Sequence, residues 1–170
     1  MSDLSIQNLH VGFPTREGFV RAVDGINLSI KPGEIVGLVG ESGSGKSVTC
    51  NSILQLLPSP PAQFGAGKID WSGKNLLSEK ESSLQKIRGK EISMIFQDPM
   101  SSLNPYLPVL EQVAEPLVIH KICGWDEART KAQEILQKVG VSHVLKHPRA
   151  YPHEFSGGMR QRAMIAMALI

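Results

Sequence analysis

The chain has 170 residues, 41% of them hydrophobic, which is enough for one domain with a buried core. Its 18 basic and 16 acidic side chains give a formal net charge of +2, and no basic block indicates a nucleic-acid partner. The first five residues lack the pattern of a signal peptide, and the longest apolar run, 163–170, is too short to span a bilayer. Any membrane association is therefore expected to come through a partner. Cys50 and Cys123 lack metal-ligand spacing and are expected to stay reduced in a cytosolic protein.

The first forty residues predict strands. Residues 4–11 alternate apolar and polar side chains, as a half-buried strand does, and the alternation resumes over 20–30 after a turn. Phe13 is expected in the loop between them, where it could contact a base, although a core or hairpin position is the alternative. The apolar segment 35–39 predicts a buried strand.

The next stretch matches the phosphate-binding loop pattern G-x-x-x-x-G-K-[ST] and lies before a predicted helix at 48–57. The matching residues are Gly40, Glu41, Ser42, Gly43, Ser44, Gly45, Lys46 and Ser47. The glycines let the backbone curl so that its N–H groups point inward, and the helix start adds its positive dipole end. Lys46 can then reach the β and γ phosphates, and the Ser47 hydroxyl is placed to hold Mg²⁺.

A connector rich in proline and glycine follows, and then a short strand at 68–71, a helix of mixed charge at 79–88 and a buried strand at 91–96. Gln97 comes directly after that last strand. Ligands bind at the carboxyl ends of strands in open α/β sheets, so Gln97 could complete a Mg²⁺ or water shell. A cap or a turn is the alternative for this residue.

The second half of the chain predicts a loop at 100–105 and helices at 109–120 and 125–139. Pro116 is expected to kink or interrupt the first of these helices.

The segment 152–162 precedes an apolar helix at 163–170. Ser156 is a good N-cap, and Gly157 and Gly158 allow an anion to approach the helix start closely. The sequence thus predicts two phosphate sites, each at the start of a helix. A single nucleotide bound at one of them does not explain why a small chain has both.

These motifs together resemble the ATP-binding subunits of ABC transporters, and most of all those of dipeptide and oligopeptide importers. Residues 40–47 correspond to Walker A, Gln97 to the Q-loop glutamine and residues 155–162 to the signature, with Met159 in place of the usual glutamine. Their order and spacing fit the family across the whole chain. The importer subgroup is indicated by residues 13–18, 21–25 and 96–105.

The resemblance implies an α/β fold: a P-loop NTPase core of the ABC type with an antiparallel β subdomain and a helical signature subdomain, truncated before Walker B. The core and β subdomain would cover residues 1–103, the helical subdomain 104–155 and the signature helix 156–170. ATP and Mg²⁺ are the implied cofactors.

The resemblance also implies roles for residues. Phe13 would stack on adenine, residues 40–47 would hold the phosphates, and Ser47 and Gln97 would contact Mg²⁺. Gln97 would also sense the γ-phosphate. Ser156, Gly157 and Gly158 would close over the γ-phosphate held by an opposite subunit, which explains the two phosphate sites.

The implied partners are membrane-spanning permease subunits and a second ATP-binding subunit, identical or paralogous, in a head-to-tail dimer. A periplasmic or extracellular solute-binding protein would act indirectly, and no nucleic acid is expected. The implied location is peripheral, on the cytoplasmic face of the plasma (inner) membrane.

Three further elements of the family are not found in these 170 residues: a Walker B strand that ends in Asp-Glu, a D-loop and a switch histidine. We therefore expect the N-terminal portion of a longer subunit, or a truncated product. Such a chain would bind nucleotide but hydrolyse it very slowly, because phosphoryl transfer depends on positioning and electrostatics. Its apolar sheet edge would be prone to aggregate.

The principal hypothesis is an ATPase subunit that drives uptake of dipeptides and oligopeptides. The alternatives are a nucleotide-binding module without hydrolysis and an importer of nickel or another small solute. An ABC ATPase of translation or DNA repair would carry paired cassettes or a coiled-coil insertion. A GTPase or kinase would not explain residues 155–162.

Overall fold

The computed structural model describes residues 3–98 and 102–170. The chain forms two compact units, Met1–Gln85 and Lys86–Ile170. The first unit contains an antiparallel sheet and a helix, and the second contains helices around an apolar core. The predicted subdomain boundaries after residues 103 and 155 stay a prediction.

Five strands form the sheet of the first unit: β1 (Leu4–Thr15), β2 (Gly18–Ile30), β3 (Gln63–Phe64), β4 (Lys68–Trp71) and β5 (Lys74–Asn75). The hydrogen-bonded order is β2-β1-β4-β5, and β3 also pairs with β1. All of these pairings are antiparallel. Ile6 of β1 pairs with Ile69 of β4, and both are buried in the core. Leu9 is also buried, although it lies three positions after Ile6, because the pairing of β1 with β2 shifts register between these two residues.

The β1–β2 hairpin is longer than predicted, and the prediction that Phe13 lies in a loop is wrong. Phe13 is a strand residue that pairs with Val20, and its side chain is half-buried. The turn tightens because the Thr15 hydroxyl donates to the carbonyl of Gly18 at 2.8 Å. This leaves two residues between the strands, so the ladder continues through Phe13.

Two helices complete the first half of the chain: α1 (Lys46–Ile53) and α2 (Glu81–Ile87). Both are shorter than predicted. A 3₁₀ turn at Leu76–Ser78 precedes α2 and is capped by Asn75, whose side-chain oxygen accepts from the Leu77 N–H at 3.3 Å. Leu76 within this turn is fully buried.

Two predictions of buried strands are wrong. Residues 35–39 form no strand, and Ile35 at their start is 98% exposed. Residues 91–96 contribute only an isolated bridge between Arg88 and Ile92, and Phe96 at their end is exposed. A buried parallel strand is stabilised by neighbours on both sides. Among residues 3–98 and 102–170, neither segment has such neighbours.

The helices of the second unit whose bounds the structure describes are α3 (Val109–Ile119), α4 (Trp125–Lys138), α5 (His143–Lys146) and α6 (Gly157–Leu169). A 3₁₀ turn covers Pro152–Glu154. Pro116 lies inside α3, which continues through it, so the predicted interruption does not occur. The predicted loop at 100–105 falls partly outside the described residues, which lack Pro99, Met100 and Ser101.

Small apolar side chains let the helices of the second unit approach closely. Ala128, Ala132 and Leu136 follow one another at helical spacing on α4 and are fully buried. They belong to one core with Val113 of α3 and Ala163 of α6. No helix in the described ranges is long and apolar enough to cross a membrane.

Replacing Leu136 by alanine tests this core. Leu136→Ala is expected to lower the free energy of unfolding by about 2–5 kcal/mol, because it leaves a cavity where the side chain is now fully buried. Leu145→Ala is the control, since Leu145 is 45% exposed. Urea denaturation followed by circular dichroism measures both. Equal losses in the two variants would contradict the assignment of Leu136 to the core.

Candidate functional site

Residues 40–45 curl tightly before α1, and Lys46 and Ser47 begin the helix. Gly43 and Gly45 have φ angles of 83° and 87°, in the left-handed region that favours glycine. The Ser44 N–H donates to the carbonyl of Glu41 at 3.2 Å and closes the curl. Gly45 is the N-cap of α1, and none of the described side chains caps this helix. Its N-terminus therefore keeps the donors and the positive dipole end that attract anions.

The loop lies directly against β2. A Cβ atom at Gly45 would lie 2.3 Å from the carbonyl oxygen of Ala22, and one at Gly40 would lie 2.7 Å from the Ser44 hydroxyl. Thr49 fastens the helix to the loop, because its N–H and its hydroxyl both donate to the carbonyl of Gly45, at 2.8 and 3.0 Å. The sequence signals the glycines but not the contact with Ala22, which only the tertiary structure shows.

Lys46 folds back over the loop. Its Nζ donates to the carbonyls of Gly40 at 2.8 Å and Glu41 at 2.6 Å, and to the Ser44 hydroxyl at 3.3 Å. Ser47 is exposed in the first turn of α1. The loop thus combines a lysine ammonium, an exposed hydroxyl and a helix N-terminus, which together can hold a polyphosphate and its cation.

The second unit presents another helix start. Ser156 is the N-cap of α6, and its Oγ accepts from the Met159 N–H at 3.3 Å, which confirms the predicted cap. Gly157 and Gly158 are exposed in the first turn. Just before them, Phe155 is only 2% exposed, and its ring meets that of His143 at 87° with centroids 5.5 Å apart. This buried ring anchors the start of the helix.

Residues 40–47 lie together within the first unit. Ser156, Gly157 and Gly158 lie together within the second unit. Phe13 lies on β1 of the first unit. Gln97 is exposed in the second unit, in the irregular segment that was expected to be a strand.

Charge pairs order the first turns of α4. Arg129 donates to both carboxylate oxygens of Glu111, at 2.8 and 3.2 Å, and this hydrogen bond raises the pKa of Arg129. Asp126 and Glu127 form the single Asp-Glu dipeptide of the sequence. Asp126 pairs with Arg129 at 3.3 Å, and Glu127 pairs with Lys131 at 2.8 Å, which raises the pKa of Lys131. The dipeptide begins a helix and does not follow a strand.

Sequence reasoning missed the bond between Glu111 and Arg129, because the two residues are 18 positions apart. It also missed Gln112, which is buried and bonds the backbone of Asn104 and Leu107. The signal that could have drawn attention to Gln112 is a polar side chain within an apolar helical pattern.

Comparison with known proteins decides the family. The profile described as "ABC transporter" matches residues 23–170. The chain belongs to the ABC transporter family. It is 48% identical over 166 residues to the oligopeptide transport ATP-binding protein OppD of Bacillus subtilis, covering 98% of this chain and 46% of that protein. It is 47% identical over 167 residues to the dipeptide transport ATP-binding protein DppD of Lactococcus lactis, covering 98% of this chain and 48% of that protein.

The chain therefore spans about half the length of these ABC transporter relatives. Among solved structures, it is similar to the dimeric structure of MJ0796, described as a bacterial ABC transporter cassette, with a TM-score of 0.84 and 30% identity. A post-hydrolysis state of the same cassette, bound to ADP and Pi, matches with a TM-score of 0.82 and 29% identity. Both matches cover 98% of this chain and 68% of the other. They confirm the α/β fold of the ABC type.

A pair of glycine variants tests how the loop before α1 is packed. Gly43→Ala is expected to lower the free energy of unfolding by about 1–2 kcal/mol, because its φ of 83° strains an alanine. Apart from the two neighbouring residues, no described atom lies within 4 Å of the new Cβ, so no clash adds to this loss. Gly45→Ala has a similar φ and adds a clash with the Ala22 carbonyl, so its loss should be clearly larger. Urea denaturation measures both. Equal losses would mean that the loop does not lie against β2.

Proposed function

We propose that this chain is the nucleotide-binding part of an ABC importer subunit that couples ATP binding and hydrolysis to the uptake of dipeptides and oligopeptides. The observation that carries the proposal is the curled loop 40–47, with the Lys46 ammonium folded over its opening. The names of the relatives, which are oligopeptide and dipeptide transport ATP-binding proteins, support the substrate class.

The first unit would hold the nucleotide. Bound ATP supplies the phosphoryl group that is transferred to water, and Mg²⁺ neutralises part of its charge. Lys46 would exchange the carbonyls of Gly40 and Glu41 for the β and γ phosphates, and the backbone N–H groups of the loop would donate to phosphate oxygens. The exposed Ser47 hydroxyl would ligate Mg²⁺, and Phe13 would stack on adenine with the exposed part of its ring.

The second unit would supply the groups that respond to the nucleotide. Gln97, which is exposed, would contact Mg²⁺ and the attacking water. The exposed N-terminus of α6, with Ser156, Gly157 and Gly158, would donate to the γ-phosphate held by a second ATP-binding subunit, identical or paralogous. The dimeric state named for the similar cassette MJ0796 supports this arrangement.

The proposed role as an importer subunit implies further protein partners. Residues 104–155 would contact the membrane-spanning permease subunits, and the solute-binding protein would act through those subunits. The proposed location is the cytoplasmic face of the membrane, where the subunit is held peripherally.

A second candidate concerns the 170-residue polypeptide by itself: it binds nucleotide and hydrolyses it very slowly. Hydrolysis in this fold needs carboxylates at the metal and the water. The single Asp-Glu dipeptide, Asp126 and Glu127, begins α4 and pairs with Arg129 and Lys131. Tight ATP binding without turnover by this polypeptide, beside turnover by the full-length subunit, would support both proposals.

Lys46→Ala tests the nucleotide site. Loss of the ammonium is expected to weaken binding of a fluorescent ATP analogue by about 10- to 100-fold, because a charged hydrogen-bond donor to phosphate is removed. Uptake of a labelled tripeptide by the full-length transporter should stop. Lys74→Ala, at an exposed lysine of the same unit, is the control. Normal ATP hydrolysis by full-length Lys46→Ala would overturn the proposal.

Ser156→Ala tests the role of the second helix start. The variant is expected to lose about 1 kcal/mol of stability because the N-cap bond is removed. ATP hydrolysis by the full-length subunit should fall, whereas ATP binding by its monomer should not change, because Ser156 would act on the nucleotide of the opposite subunit. Ser142→Ala is the control, since Ser142 makes no side-chain cap bond to α5. Weaker ATP binding by the Ser156→Ala monomer would contradict this role.

A further inference from the structure

Two hydroxyl side chains occupy the inward face of α1, where an amphipathic helix normally carries apolar ones. Thr49 is 1% exposed, and Ser52 is fully buried. Each hydroxyl donates to the carbonyl four residues earlier: Thr49 to Gly45 at 3.0 Å, and Ser52 to Val48 at 2.7 Å. Bonds of this kind satisfy a buried hydroxyl without leaving the helix. What distinguishes the two residues is the carbonyl that each one holds.

The carbonyl held by Thr49 belongs to the residue at which the loop becomes a helix. Gly45 is the N-cap of α1, with φ 87° and ψ 0°. Its carbonyl oxygen accepts from the N–H of Thr49 as well as from the hydroxyl, so both of its lone pairs are used. Two donors fix the direction of this carbonyl more tightly than the single donor of a regular helix.

Fixing this carbonyl also fixes the next N–H group along the chain. The peptide bond between Gly45 and Lys46 is planar and trans, so the Lys46 N–H points opposite to the Gly45 carbonyl. The carbonyl points into α1, toward Thr49, and the N–H therefore points outward beyond the start of the helix. The first N–H groups of a helix have no acceptor within it. The direction in which Lys46 offers its N–H thus depends on Thr49.

We propose that Thr49 is a positioning residue for the nucleotide phosphates. Its hydroxyl holds the Gly45 carbonyl so that the Lys46 N–H stays directed toward a phosphate oxygen. This rests on the proposed function, in which backbone N–H groups of the loop donate to the phosphates. Donors that are already oriented bind more tightly, because the apparent dissociation constant rises as the competent fraction of the protein falls. Without the hydroxyl, the carbonyl keeps only the bond from the Thr49 N–H, and the competent fraction falls.

Thr49→Val in the full-length subunit tests the proposal, since valine keeps the shape of threonine and lacks the hydroxyl. The dissociation constant of a fluorescent ATP analogue, measured with Mg²⁺ present, is expected to rise by about three- to tenfold, which corresponds to one lost hydrogen bond. Thr49→Ser loses a methyl group but keeps the hydroxyl, so this variant should bind the analogue as the wild type does.

Ser52→Ala is the matched control. It removes a buried hydroxyl bond of the same type from the same helix, but that bond holds the carbonyl of Val48, within the helix. Circular dichroism checks that both variants are folded, and the midpoint of urea unfolding is measured for each. Only Thr49→Val is expected to bind the analogue more weakly. A role of Thr49 in helix stability alone would not separate the two variants in nucleotide affinity.

The outcomes separate this proposal from the proposed function. If the wild-type subunit binds the analogue and Thr49→Val binds it equally well, the role of Thr49 is overturned while the proposed function stands. The same conclusion follows if Ser52→Ala weakens binding as much as Thr49→Val does, or if Thr49→Ser binds as weakly as Thr49→Val. If the wild-type subunit does not bind the analogue, the proposed function fails, and the role of Thr49 fails with it.

Discussion

The close approach of Gly45 to the carbonyl of Ala22 is the constraint on which the proposed nucleotide site depends. It lets the backbone of the loop lie against β2 at a distance that no side chain would allow. Thr49 then holds the first turn of α1 to the same glycine through two bonds to its carbonyl. This close packing sets the direction of the α1 dipole, and it also sets the position from which the Lys46 side chain extends over the loop.

The second unit orients its helix start by a different means. Phe155 is buried in the apolar core, and Ser156, directly after it, caps α6 through the Met159 N–H. Small residues on α4 and α6 allow the close packing that holds the phenylalanine in place. One helix N-terminus is therefore positioned by the absence of a side chain and the other by a buried one, and in the proposed function both donate backbone N–H groups to an anion.

Some carboxylates on the surface of the second unit form ion pairs with basic side chains, and others do not. Glu111, Asp126 and Glu127 all pair with basic side chains of α4. Glu115 lies one helical turn beyond Glu111 and has no such partner among the described residues. Exposed pairs of this kind contribute little to stability, so their main effect is on which charges remain available to a partner.

Local patterns in the sequence determined the curled loop before α1, the cap at Ser156 and the helix over 125–138, because each depends on residues within a few positions of one another. The tertiary structure decided the rest. Phe13 is in a strand because β1 pairs with β2 through it, and residues 35–39 and 91–96 remain outside the sheet because strands need partners that are distant in sequence. The approach of Ala22 to Gly45 and the pairing of Glu111 with Arg129 likewise join residues that no short-range pattern relates.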